Sequence, residues 1–350
     1  MREEMMRPTV HDIAAEAGVS LATVDRVLNN RPGVRTVTRD KVERAIATLG
    51  YIRDVAAANL AKSRSYPLIF ILPEGENAFM RGLEAEVQSA MARSAVERTD
   101  VSILSVPAFD ASALADALDE ARRRGPAGVA VVAVEAPEVV AAVGRLREDG
   151  IAVVTLVSDL TGSEREHFAG VDNIAAGRTA GSLMRRFVGG RDGPVAIVAG
   201  SMLVRDHRDR LEGFSAAVNE GAAKRQLLPV VEGHDDPSEV ENLVQDLLAA
   251  HPNLTGIYSL GAGNRGLIAA LEKAGRQSEI CAIAHELTPY SRAALVSGTI
   301  DALLNQDAGH EVRSAIRVLK ARADGLSMIE AQERIRIDIF LKDNLPVEPV

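Results

Sequence analysis

One arginine in this chain stands where a side chain can read a base pair. Ser20 can cap a helix over Leu21–Leu28 whose inner face is Val24, Val27 and Leu28, and Arg26 projects from the other side. Ahead of it, Thr9 can cap a first helix, with Asp12 three residues on as a carboxylate version of the capping box, and Ile13 and Ala17 sharing one face. Gly18 supplies the turn that a side-chained residue resists. Ala14, Gly18 and Val24 have the spacing of a helix-turn-helix: a small residue at the crossing, a glycine at the corner, an aliphatic lock in the second helix. In such a motif the second helix enters the major groove, and a guanidinium can grip guanine through two hydrogen bonds.

A second constellation has the form of a dinucleotide fingerprint. Gly261-Ala-Gly263-Asn-Arg-Gly266 follows an apolar run, opens a helix, and has Glu286 about 20 residues on. It falls in the eighth βα unit rather than the first, and a glycine turn at a strand's carboxyl end suits any doubly wound cleft. NAD-linked oxidoreduction is therefore the weaker reading. The seven histidines are scattered without metal-ligand spacing, and no Gly-x-Ser-x-Gly elbow occurs. The chain is not expected to be an enzyme, and no cofactor or metal is implied.

These residues need elements to carry them. At 350 residues the chain is long enough for two or three domains of about 150 residues each. It is 47% hydrophobic but only 3% aromatic with no Trp, so Val, Leu, Ile and Ala must fill the core. A single cysteine, Cys281, excludes an internal disulfide framework. No apolar run reaches the roughly 18 residues of a membrane span, and Met1-Arg2-Glu3-Glu4 opens no secretory signal. A soluble, cytoplasmic protein is expected. The net charge of −9 is uneven: residues 1–64 carry 11 Lys/Arg against 8 Asp/Glu, while the remainder is acidic. That asymmetry suits a nucleic-acid end on an acidic body.

Residues 9–62 read as helical, with a third helix capped by Thr38 and carrying Val42, Ile46 and Leu49 inward, and a short alanine-rich helix at about 54–61. So brief a helix is marginal alone and orders only on docking. Lys62–Ser65 is a polar linker. From Pro67 onward buried apolar runs such as Leu68–Leu72, Gly128–Val134 and Ile280–Ala284 alternate with amphipathic helices such as Asp206–Asn219 and Pro237–Ala250. That alternation predicts parallel sheets covered on both faces, and so many units predict two doubly wound lobes with a cleft between. Ser158–Gly170, Asn305–Gly309 and Met328–Arg334 fall where the chain would cross between lobes.

Thr9-Val-x-Asp12-Ile-Ala-x-x-Ala17-Gly-Val-Ser-x-Ala22-Thr-Val-x-Arg26-Val-Leu-Asn29, followed by Leu49-Gly-Tyr51, resembles the headpiece of the lactose-repressor (LacI/GalR) family. Asn77-x-Phe79, Val171-Asp172-Asn173, Arg208-Asp209-Arg210-Leu-Glu-Gly-Phe214 and Asn305-Gln306 resemble that family's effector domain, itself similar to periplasmic ribose-binding protein. The resemblance implies an all-α headpiece over 1–62 and an α/β periplasmic-binding-protein-like effector and dimerisation domain over 66–350. It also implies a homodimeric regulator, most often a repressor, on a pseudo-palindromic operator at the bacterial nucleoid, controlled by a small sugar or polyol. Leu21, Ala22 and Arg26 would face bases; Thr9, Ser20, Thr23 and Asn29 would sit on phosphates. Leu60, beside Asn59, matches the leucine that wedges into the minor groove. Asp25 replaces a usual serine, so it either turns from DNA or holds Arg26. Ala58 replaces a basic residue.

In the cleft the resemblance nominates Asn77, Phe79, Asp159, Arg208, Asn264 in the Gly263 turn, His285 and Gln306 as ligand contacts. Each has a second reading. Arg208 could pair with Asp209, His285 could be a satisfied strand-end histidine, Gln306 could bond the hinge backbone, and Phe79 fits a buried helix start. Asp172-Asn173 reads as a helix cap. A solute-binding protein for transport shares the cleft but needs export, which the N-terminus does not support.

Overall fold

The computed structural model describes residues 8–29, 31–51, 65–75, 77–220 and 224–347. The chain divides into two units, Met1–Arg64 and Ser65–Val350. The hinge helix expected at 54–61, with Ala58, Asn59 and Leu60, lies outside the described residues.

In the first unit α1 (Val10–Ala17), α2 (Leu21–Leu28) and α3 (Thr36–Leu49) close over Ile13, Val24, Val27, Val42 and Ala45. Asp12 accepts from both the backbone N–H and the hydroxyl of Thr9, at 2.7 and 2.8 Å. Those bonds hold its carboxyl below the usual range. Gly18 takes φ +64° as it ends α1. Ser20 accepts from the Thr23 N–H to start α2. The third helix begins earlier than Thr38: Arg35 holds its N-cap position in extended backbone, and the Thr38 N–H already bonds back to Arg35 O.

The second unit has two α/β lobes. In the first, β1 (Tyr66–Glu74), β2 (Thr99–Pro107), β3 (Gly128–Val131), β4 (Ala152–Leu156) and β5 (His167–Ala169) form a parallel sheet in the order β2-β1-β3-β4-β5. Its helices are α4 (Ala78–Ala92), α5 (Ser94–Glu97), α6 (Ala111–Arg124) and α7 (Pro137–Glu148).

The second lobe contains α8 (Asn173–Val188), β6 (Val195–Ala199), α9 (Arg205–Val218), β7 (Leu227–Glu232), α10 (Pro237–Ala250), β8 (Gly256–Ser259), α11 (Asn264–Lys273), β9 (Cys281–His285), α12 (Pro289–Ser297) and β10 (Ala302–Asn305). The chain then returns through α13 (Ala308–Ala323), whose Val312, Ile316 and Leu319 fill the first lobe's core, and ends with α14 (Glu330–Glu333) and β11 (Asp338–Phe340). The second sheet runs β11-β10-β9-β8-β6-β7, parallel except for the antiparallel edge strand β11. The chain thus passes between lobes three times, after β5, after β10 and after α13. β3, β4, β6, β8 and β9 are buried along their whole length, as expected for sheets covered on both faces. Among the described residues no helix is long and apolar enough to cross a membrane.

Candidate functional site: a cleft and a recognition helix

Two surfaces carry chemistry, one in each unit. In the first unit the exposed face of α2 is Leu21, Ala22, Asp25 and Arg26, at i, i+1, i+4 and i+5. Leu21 is 42% exposed. Arg26 forms no ion pair among the described residues. Asp25 does not hold it: its carboxylate accepts from Asn29 Nδ2 at 2.7 Å and pairs with Arg31 at 3.2 Å. Asn29 is thereby tied to Asp25, and Thr23 Oγ1 lies 2.9 Å from Ser20 Oγ.

In the second unit a cavity of about 200 Å³ opens between the lobes, room for one small molecule. Its backbone is strained. Phe109, Val157, His234, Asp235 and Glu286 all take positive φ, between +47° and +70°, and all line it. For a β-branched residue such as Val157 that is a rare conformation, and such strain collects at ligand sites.

α9 aims its first turn into the cavity, with Asp206, His207 and Arg210 on its buried side. Glycines set this position. A Cβ on Gly177 would overlap Arg210 O, and one on Gly213 would overlap Ile174 O, so α8 and α9 meet backbone to backbone. Arg210, 3% exposed, donates Nε to Asn173 Oδ1 at 2.8 Å and Nη1 to Leu260 O at 2.9 Å. Its Nη2 lies 3.9 Å from Asp206 and 3.8 Å from Glu286. Gln306 Nε2 donates to Glu286 Oε1 at 2.9 Å. Burial raises the Glu286 carboxyl to about 7, against the pull of Arg210. Behind it Glu311 is fully buried and is pushed well above the carboxylate range by burial and by Glu286.

The nominated residues divide between this cavity and its support. Asn77, Phe79 and Gln306 line it. Asn77 caps α4 through Oδ1 and reaches across the cleft to Asp235 Oδ2 at 2.7 Å. Four others are engaged elsewhere. Arg208 pairs with Glu135 and donates to Met202 O, on the opposite side of α9 from Arg210. Asp159 is held by Nε and Nη2 of Arg165 and by the Thr155 hydroxyl, which keep its carboxyl low against its burial. His285 meets Tyr258 OH at 2.8 Å, and burial with Arg210 nearby depresses its pKa, so it is neutral. Asn264 donates to His285 O and accepts from Ser259 Oγ, fixing the strand end that carries Glu286. Asp172 caps α8 while Asn173 positions Arg210.

The resemblance does not nominate Asp206, Arg210, Asp235 or Glu286, which the fold brings to the cavity. Helix phase marks Arg210: it lies four after Asp206 and four before the fully buried Phe214. The fingerprint glycines are accounted for by packing. A Cβ on Gly261 would crowd Gly200 N and His207, Gly263 takes φ +84° to start α11, and one on Gly266 would overlap Pro237 O of α10.

This geometry describes a cleft-type small-molecule binding domain that follows a helix-turn-helix module on one chain. Residues 68–327 match the family of the periplasmic binding protein domain, and residues 9–54 match bacterial regulatory proteins of the lacI family. The chain belongs to the family of the periplasmic binding protein domain, and its N-terminal stretch, residues 9–54, is similar to bacterial regulatory proteins of the lacI family. Relatives include catabolite control protein A of Priestia megaterium, 41% identical over 83 residues (23% of this chain, 25% of that protein). The HTH-type transcriptional regulator MalR of Streptomyces coelicolor is 44% identical over 89 residues, a quarter of each chain. These matches span about a quarter of the relatives' length.

Among solved structures, GanP, a glucose-galactose binding protein from Geobacillus stearothermophilus, superposes with a TM-score of 0.72 at 21% identity, over 81% of this chain and 100% of that one. A transporter solute-binding protein from Burkholderia graminis in complex with D-arabinose gives 0.73 at 21% identity, over 81% and 97%. At that identity the likeness is one of fold.

Proposed function

We propose that this protein is a non-enzymatic, ligand-controlled transcriptional regulator, a repressor that binds a pseudo-palindromic operator as a homodimer. The observation that carries this reading is the coexistence, in one chain that matches the lacI family over residues 9–54, of an exposed recognition face at Leu21, Ala22 and Arg26 and a strained, charge-lined cleft. Arg26 reads a guanine edge, Leu21 and Ala22 meet thymine methyls, and Thr9, Ser20, Thr23 and Asn29 lie along phosphates. Asn59 and Leu60 enter the minor groove.

The cleft takes a small carbohydrate. Sugar-binding proteins of the same fold and the converging Asp206, Arg210, Asp235, Glu286 and Gln306 support this reading. Asn77–Asp235, Ser158 Oγ accepting from Arg205 N at 3.1 Å, and Glu135 with Arg205 and Arg208 join the two lobes. These few polar contacts are what a ligand adds to or breaks. The ligand moves the equilibrium between lobe arrangements only by its differential affinity for them, and the segment between the two units transmits the change to the headpieces.

The test is selection of binding sites from random DNA with the full chain, followed by gel shift. A two-fold symmetric consensus is expected, and deletion of residues 1–62 should abolish binding while leaving a folded dimer. A truncated chain that still shifts the selected site would overturn the assignment.

A further inference from the structure

The two walls of the cleft differ in chemistry. The first lobe presents Val106, Phe109, Val134 and Val157. Of its polar side chains, Asn77 is engaged with the α4 N-terminus and Asp235, Ser158 Oγ with Arg205 N and Asp110 with the α6 N-terminus, while Glu74 is exposed. Hydroxyls pressed against this wall would lose water and gain no partner.

The second lobe presents Asp206, Glu286 and Gln306, respectively 6%, 8% and 3% exposed. Each keeps one oxygen, Asp206 Oδ1, Glu286 Oε2 and Gln306 Oε1, without a hydrogen-bond donor among the described residues. Of the other carboxylates at the cavity, Glu74 is exposed and the rest are engaged. Asp235 accepts from Ala262 N and Asn77, while Asp110 and Asp236 cap helices. Among the described residues Arg210 is the only Lys or Arg lining the cavity. Two of its nitrogens are already used, and the third lies beyond hydrogen-bond reach of both carboxylates. One guanidinium thus faces two carboxylates, with Glu311 buried behind them. A neutral sugar supplies donors but no charge; an ammonium supplies both, and its three N–H groups equal the three open oxygens in number.

We propose that the ligand of this cleft is an aminated carbohydrate, its ammonium group held by Asp206, Glu286 and Gln306 and its carbon-rich face turned to the first-lobe wall. This rests on the reading of the cleft as a carbohydrate site.

The experiment is a thermal-shift and calorimetric comparison on the full chain with two matched sets: D-glucose, D-glucosamine and N-acetyl-D-glucosamine, and the three corresponding galactose compounds. In at least one set the free amine should bind about tenfold or more tightly than its neutral partners. Asp206→Asn should remove that preference, and Glu286→Gln should reduce it. Neutral or N-acetylated members binding as tightly as the amine would overturn the ammonium assignment and leave the carbohydrate reading standing. So would an amine preference that survives both substitutions. A panel silent throughout, at millimolar concentrations, would overturn both.

Discussion

In the headpiece the side chains that would meet a partner lie outside, and an apolar core holds them there. Leu21, Ala22 and Arg26 project from α2, while Ile13, Val24, Val27, Val42 and Ala45 close behind. In the cleft the order is reversed. Asp206, Arg210 and Glu286 are buried, and each depends on the others and on Asn173, Leu260 O and Gln306 for its charge to be tolerated. An exposed reader can be changed without disturbing the fold that carries it. A buried charge cluster cannot, because removing one member strands the rest. Specificity for DNA and stability should therefore separate by mutation in the headpiece, whereas ligand recognition and stability should move together in the cleft.

The largest test of that contrast is Arg210→Met. It leaves Asp206, and above about pH 7 Glu286 as well, without a compensating charge and should cost the larger domain about 3–5 kcal/mol in denaturant unfolding. A loss under about 1 kcal/mol would show the cluster is not coupled. Next comes pH. The Glu286 carboxyl, raised to about 7 in the fold, keeps its proton where an unfolded chain, near 4.3, has released it. Its contribution to stability is therefore full at low pH and is lost as pH rises from about 4.5 through about 7, by up to about 3 kcal/mol. Melting curves of Glu286→Gln should lack that part of the slope; identical pH profiles would contradict the burial argument.

Arg26→Ala should relax discrimination at one half-site position by about 1–3 kcal/mol and leave melting unchanged. Uniform weakening across all sequences would make Arg26 a phosphate contact. The smallest effect belongs to Asp25, whose side chain is 53% exposed. Asp25→Ser should move stability by no more than about 0.5 kcal/mol while tightening operator binding most at low salt, where removal of a negative charge near phosphate counts most.

The same contrast explains how far the amino-acid sequence could be read. Headpiece geometry is local: Ser20 and Leu28 bound α2 as the cap and apolar spacing require, and Gly18 turns where it should. The βα alternation likewise marks the sheets, with Pro237–Ala250 found at its expected limits. The missed strands, His167–Ala169 and Asp338–Phe340, are three residues each at sheet edges, too short to carry a period. The cleft is assembled from distant segments. Asn77 and Gln306 are marked by motif, but Arg210 differs from Arg208 only in helix phase, and Glu286 enters the sequence as the acid of a glycine fingerprint. Which arginine faces the cavity follows from the glycine contacts between α8 and α9, a tertiary fact.

The central claim is that occupancy of the cleft changes the grip of the headpiece on DNA. It is tested most directly by fluorescence anisotropy of the full chain on its selected operator, with and without the compound giving the largest melting shift in the matched sugar and amino-sugar sets. A change in operator affinity of at least about fivefold is expected, abolished by Arg210→Met. Equal affinity with the cleft saturated and empty would contradict the account.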